Sequence, residues 1–279
     1  MSLKDINELD LKLILQSGQS IFVENLEIKP FTLQEIVSTG YSQYMQKIQW
    51  ISLTIDDFIE AIDDGMKKSI LSEQRENLRT LDFYTKLGGQ EMLEGLLLSL
   101  SMIFRTTDIR LMEDGVIAIN FQKMGIYYID EDGEMIVNDE VLATIGEDDL
   151  LLIHRDNFDE IVDAIKLQNF LKKPEEAKEE KYADEETRLL MEKMKRDAER
   201  VEKLKKKGQE DEPIDLADII SAVSSKSYSL NELNIWQLTL YQLYQKYSRL
   251  ELIDNYDFSV KAMMAGAENI DLKHWSSKL

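Results

Sequence analysis

The chain has 279 residues, 43% of them apolar, a net charge of −21 and a pI near 4.5. That charge argues against bare nucleic acid and anionic lipid as partners, because phosphate binding requires clustered Lys and Arg. There is no cysteine, which excludes disulfides, zinc–thiolate sites, iron–sulfur clusters and cysteine nucleophiles.

The N-terminal MSLKDINELDLKL lacks a basic start followed by an apolar core, so no secretory signal is expected. The longest apolar run, Leu93–Phe104, is interrupted by Glu94, Gly95, Ser99 and Ser101 and is too short and polar to span a bilayer. A soluble, cytoplasmic chain is the expectation. Leu9–Leu15 and Ser20–Ile28 alternate like two strands joined by Gln16-Ser17-Gly18-Gln19, with a turn or bulge near Glu24-Asn25. Pro30 closes that unit. Thr32 with Glu35 three residues on forms a capping box, opening a helix through Trp50 that Gly40 interrupts. Thr54-Ile-Asp-Asp opens a short helix through Ile62, with Gly65 as its stop.

Leu78–Phe104 is rich in helix formers, broken at Gly88-Gly89, with Met92–Phe104 the buried central helix. Ile109–Met112, Val116–Phe121 and Ile126–Ile129 read as short strands, and Met135–Val137 pairs back. Glu113-Asp114-Gly115 and Asp130-Glu131-Asp132-Gly133 are Asp-Gly hairpin turns. A helix starts within Asn138–Ile145, and Leu150–Ile153 is a further short strand. Asn157–Leu171 is an amphipathic helix with Phe158, Ile161, Val162, Ile165, Phe170 and Leu171 on one side.

After Pro174 the composition shifts to Glu, Lys, Asp and Arg. Residues 175–212 hold 14 acids and 11 bases. Leu190, Met194, Ala198, Val201 and Leu204 form a narrow apolar stripe there, which predicts a solvated or seam-docked helix. Leu216–Val223 begins a helical module. Trp236, Leu240, Leu243, Tyr244, Tyr247 and Leu250 then recur at steps of three and four on one helix face. A second short helix, Phe258–Ala267, and a tail with Lys273, His274 and Trp275 follow. The expected fold is α+β and mostly helical. Residues 1–173 form an N-terminal domain with small antiparallel hairpins, 174–212 a charged helical linker and 213–279 a helical C-terminal module.

The chemistry candidates are thin. Asp130-Glu131-Asp132-Gly133 resembles a calcium loop, but Gly stands fourth and strands flank it, so a hairpin turn is the better reading. Asp10, Glu27 and Lys29 mimic a metal-dependent nuclease pattern, against which stands a solvated strand face. His154 and His274 are the only histidines; a capping or surface role is expected for the first. Asp56-Asp57, Asp63-Asp64 and Asp148-Asp149 are adjacent and cannot face each other on a helix. No catalytic residue, metal site or cofactor is expected. The aromatic face of Trp236–Leu250 reads either as core or as a partner-binding face, since Trp and Tyr anchor interfaces.

Leu216-Ala-Asp-Ile-Ile-Ser, Asn234-Ile-Trp-Gln-Leu-Thr-Leu-Tyr-Gln-Leu-Tyr, Ala265-Gly266-Ala267 and Leu272-Lys-His-Trp-Ser resemble tail-morphogenesis proteins of phages of Gram-positive bacteria. The segment Leu26–Ile36 also looks like the opening of such proteins. The resemblance implies a tail assembly chaperone: a non-enzymatic helical protein that binds the tape measure protein and helps recruit tail-tube subunits in the infected host's cytoplasm. The aromatic pattern of the C-terminal stretch makes Trp236, Leu240, Tyr244, Tyr247 and Trp275 the candidate partner-binding residues. No nucleic acid or membrane partner is expected, and homo-oligomerisation is compatible with it. The competing readings are a permanent virion component of capsid, neck or baseplate, the nuclease, and an acidic inhibitor of a DNA-binding host factor.

Overall fold

The computed structural model describes residues 3–60, 65–73, 75, 78–130, 135–146, 149–171, 214–267, 270 and 272–278. The fold is mostly helical α+β with small antiparallel strand pairs. The chain divides into two compact units, residues 1–174 with 236–242, and residues 175–235 with 243–279. The charged stripe from Leu190 to Leu204 lies outside the described residues.

After a 3-10 turn at Leu3–Asp5 comes a helix, α1 (Glu8–Ser17), where alternation predicted a strand. Three local signals override the alternation. The Asn7 side chain caps the Asp10 N–H at 2.8 Å, and Glu8 pairs with Lys12 one turn on at 2.8 Å. Gly18, at φ 72°, then ends the helix with paired bonds to Leu15 and Ile14 carbonyls. Leu11 and Leu15 point inward, while Leu9 and Leu13, the other half of the apparent alternation, are exposed.

The second expected strand is itself a hairpin, β1 (Ile21–Val23) and β2 (Leu26–Ile28), and the turn or bulge expected near Glu24-Asn25 is its turn, with Glu24 at φ 53°. Ile21 faces Ile28 and Val23 faces Leu26, all four fully buried. Each such side chain contributes about 1.5–3 kcal/mol of apolar burial. The Thr32–Glu35 capping box opens α2 (Leu33–Thr39), and Gly40 at φ 90° separates it from α3 (Tyr41–Ile51). Thr54 and Asp57 bond reciprocally at the start of α4 (Ile55–Glu60). Gly65 is not a stop: it is the first residue of α5 (Gly65–Glu73).

A single turn, α6 (Thr80–Asp82), runs into a π-helical segment, Phe83–Leu87, which breaks at Gly88 before α7 (Gly89–Ile103). The wider π turn buries Phe83 and Tyr84 together. Phe83 stacks on Phe58 with ring centroids 5.1 Å apart, and Tyr84 meets Phe58 edge-on and donates to the Trp50 carbonyl. Burial pushes the Tyr84 and Tyr44 phenols well above their usual range. In α7, Leu96, Leu100 and Ile103 are core but Leu98 is 61% exposed, so only one side of the apolar run is buried.

The β segment matches its pattern closely. β3 (Ile109–Leu111), β4 (Ile117–Ile119) and β7 (Leu152–Ile153) make one antiparallel sheet in the order β3-β4-β7. β5 (Tyr127–Ile129) pairs with β6 (Met135–Val137), and α8 (Asp139–Thr144) follows from an Asn138 cap. The turn residues 131–134 are outside the described residues. α9 (Phe158–Gln168) buries Phe158, Ile161, Val162 and Ile165 as expected. Phe170 and Leu171 lie beyond its end, Phe170 at φ 59° and Leu171 exposed, so they are not on its buried face.

Arg105 clasps the chain after β2. Its guanidinium donates to the Lys29 and Pro30 carbonyls at 3.1 Å each, lies 3.9 Å over the Phe31 ring, and pairs with Glu35 at 3.4 Å. Burial opposes ionisation of Glu35, but the Thr32 N–H and hydroxyl and the Arg105 charge outweigh it and hold the carboxyl below its ordinary range. Among the described residues, no helix is long and apolar enough to cross a membrane.

Candidate docking surface of the C-terminal region

Asp215 and Asp218 cap each other's backbone at the start of α10 (Leu216–Lys226), which buries Ile219 and Val223. Asn231 and Asn234 exchange side-chain-to-backbone bonds in the following turn, Asn234 accepting from Asn231 N–H at 2.8 Å. A 3-10 turn, Ile235–Gln237, comes next, and α11 (Leu240–Met264) begins only at Leu240. Trp236 therefore precedes the helix, contrary to the expected stripe. The reason is a further capping box: Thr239 N–H donates to the Gln242 side chain at 2.9 Å and Gln242 N–H to the Thr239 hydroxyl at 3.2 Å. Thr239-Leu-Tyr-Gln242 carried that signal in the sequence.

Residues 236–242 are part of the first unit. Leu33 N–H donates to the Leu238 carbonyl at 2.8 Å, and Thr32 and Thr239 form an isolated antiparallel bridge. The Gln242 amide reaches the Gln16 carbonyl at 2.9 Å, satisfying a carbonyl at the end of α1. Tyr241 is buried, its ring edge-on to Phe170 at 5.6 Å. Leu240, expected to bind a partner, is a core residue at 3% exposure.

In the second unit α11 runs unbroken to Met264, so the two helices expected here are one. Asp254-Asn255 is polar enough to suggest a break, yet neither Gly nor Pro enforces one. The helix ends on Gly266 at φ 88°, with Gly266 and Ala267 N–H returning to the Met263 and Ala262 carbonyls at 3.0 Å each. Lys226 of α10 pairs with Asp254 of α11. Arg249 donates to the Trp275 and Ser277 carbonyls at 2.8 Å each, holding the tail on the helix. The His274 ring sits edge-on to Tyr256 at 5.3 Å and tilted against Trp275 at 5.4 Å.

Tyr244 and Tyr247 are half-buried, and Trp275 is 48% exposed. Burial, with the neighbouring Glu251 carboxylate, raises the Tyr247 phenol. Side chains not named as partner-binding are more exposed still: Phe258 at 74%, Met264 at 84% and Leu233 at 89%. Their apolar character was visible; their exposure was not, because a stripe in sequence does not say which side is covered. The five expected binding residues are thus divided, with Trp236 and Leu240 in the first unit and Tyr244, Tyr247 and Trp275 in the second.

The other candidates fall into local structural roles. Asp10 is on α1 rather than on a strand beside Glu27, and bonds with Asn7; Glu27 accepts from the Ser20 hydroxyl at 2.6 Å. The strand-based nuclease geometry is therefore not formed. His154 bonds Glu24 at 3.3 Å through Nε2, while its own N–H donates to the Asn157 side chain at 2.9 Å. Among the described residues, no group of three or more His, Asp or Glu converges as a metal-ligand set.

No curated protein and no solved structure matches the chain. One family model does: residues 205–279 match the family described as the YomV second domain. YomV is a protein of the Bacillus phage SPbeta region, so the match ties the C-terminal module to a phage-associated domain.

Proposed function

We propose that the chain is a non-enzymatic phage assembly protein, a tail assembly chaperone that binds the tape measure protein through its C-terminal module in the host cytoplasm. One observation carries this reading. The part of the chain that matches a phage-associated domain, residues 205–279, is also the part whose helix end and tail expose Phe258, Met264 and Trp275. Exposed large apolar and aromatic side chains are what a protein partner covers. The acidic composition supports a role among basic or apolar partners rather than on phosphate backbones.

The test is co-expression with a phage tape measure protein. The pair co-purifies and the partner stays soluble if the reading holds; two well-folded proteins with no complex overturn it. Mass spectrometry of purified virions separates the chaperone, absent from mature particles, from a permanent capsid, neck or baseplate component.

A further inference from the structure

A cleft of about 300 Å³ opens on the first unit between α3 and α7. Its floor exists because residue 95 is glycine. The Trp50 indole lies against Gly95 so closely that a Cβ there would meet the ring at 2.2 Å. The indole N–H points toward the Met92 carbonyl at 3.5 Å, fixing the ring across the groove. Lys47 and Trp50 on one helix, and Glu91, Glu94 and Leu98 on the other, form the walls. These are spacings of three and four, so each set is a single stripe along its helix. Leu98 is 61% exposed at the mouth and extends the apolar surface beyond the cleft.

We infer that this cleft binds a lysine or arginine side chain presented by a protein partner. An apolar slot with few converging polar groups is the usual form of a binding site. Here the aromatic floor attracts a cation and accepts its aliphatic stem, and the Glu91 and Glu94 carboxylates line the cleft beside its head, Glu94 also accepting from the Gln90 amide at 2.7 Å. Residues 1–174 carry 32 acids against 16 bases, so the field around the cleft selects cations over anions. The exposed Leu98 fits an occupant wider than the cleft, which a free amine is not. A second copy of this acidic chain would be repelled by the same field.

The test follows the indole N–H signals of the full chain by NMR, with Trp50→Phe assigning the Trp50 peak. The probe is acetyl-Ala-Leu-Arg-Leu-Ala-amide, compared with the same peptide carrying norleucine or glutamate in place of arginine. The Trp50 signal moves with the arginine peptide at a Kd on the order of 1 mM or below, and not with the glutamate peptide. The double variant Glu91→Gln/Glu94→Gln weakens that binding by about tenfold or more. Three results overturn the inference: no movement of the Trp50 signal up to about 10 mM peptide, equal movement with norleucine, or unchanged affinity in the double variant. Self-association in sedimentation that Leu98→Glu abolishes would also overturn it, by making a second copy the occupant.

Discussion

The N-terminal and C-terminal regions differ in charge more than in how they place apolar side chains. Each buries a core, and each leaves large apolar side chains exposed, Leu9, Met66 and Leu98 in the first and Phe258 and Met264 in the second. Residues 1–174 hold a net charge of −16, from 32 acids and 16 bases, around a core that buries Ile21, Val23, Ile48, Leu96, Leu100, Phe158 and Ile161 to 1% exposure or less. Residues 213–279 are close to neutral, with 8 acids and 6 bases, and leave Leu233, Phe258, Met264 and Trp275 in solvent. A strong charge on a packed unit keeps it soluble and sets which partners approach. Uncovered apolar surface on a near-neutral module calls for a partner. The difference teaches that net charge and exposed apolar surface vary independently along this chain.

Mutations should separate the two regions by size of effect. Leu96→Ala removes a fully buried side chain from α7 and should cost about 2–5 kcal/mol in a denaturant titration. Gly95→Ala places a methyl into the Trp50 ring and should cost about 1–3 kcal/mol, despite alanine's better helix propensity. A stabilising result would mean that the indole does not rest on Gly95. Thr239→Ala removes one side of the capping box that sets the start of α11, at about 1 kcal/mol, and its loss should show as a lower melting temperature. Phe258→Ser should change stability by no more than about 0.5 kcal/mol, since the side chain is 74% exposed. A large loss there would show that Phe258 is covered, and would blur the contrast between the regions.

A pH titration adds a smaller effect with a definite sign. The folded-state carboxyl of Glu35 is held below its ordinary range, so its contribution is present above the unfolded carboxylate range and is lost as pH falls through the folded value. The difference in melting temperature between wild type and Glu35→Gln should therefore be constant near neutrality and shrink in acid. A difference that grows in acid would contradict the Arg105 and Thr32 contacts. The Arg75–Asp56 pair, more than half exposed on both sides, should contribute little by comparison.

Much of the fold was legible wherever local chemistry and burial agreed. The Thr32–Glu35 box, the Gly40 interruption, the Ile21–Ile28 hairpin and the β3-β4 and β5-β6 pairs all follow from caps, turns and alternation. α1 was misread because Leu9, Leu11, Leu13 and Leu15 alternate, while the capping Asn7 and the Gly18 stop outweigh a four-residue pattern. Trp236 and Leu240 illustrate a different limit. They share a helical spacing with Tyr244 and Tyr247, but a cap at Thr239 starts the helix after Trp236, and Leu240 is core. The Trp50–Gly95 contact was hidden because it joins residues 45 positions apart, although a glycine inside a helical run is a signal of close packing.

The most direct measurement is co-purification of the full chain with a phage tape measure protein, comparing wild type with a Phe258→Ser/Met264→Ser/Trp275→Ala variant. The account predicts that the variant keeps the wild-type melting temperature and loses the complex. A complex retained at wild-type yield, with all three exposed side chains removed, would contradict it.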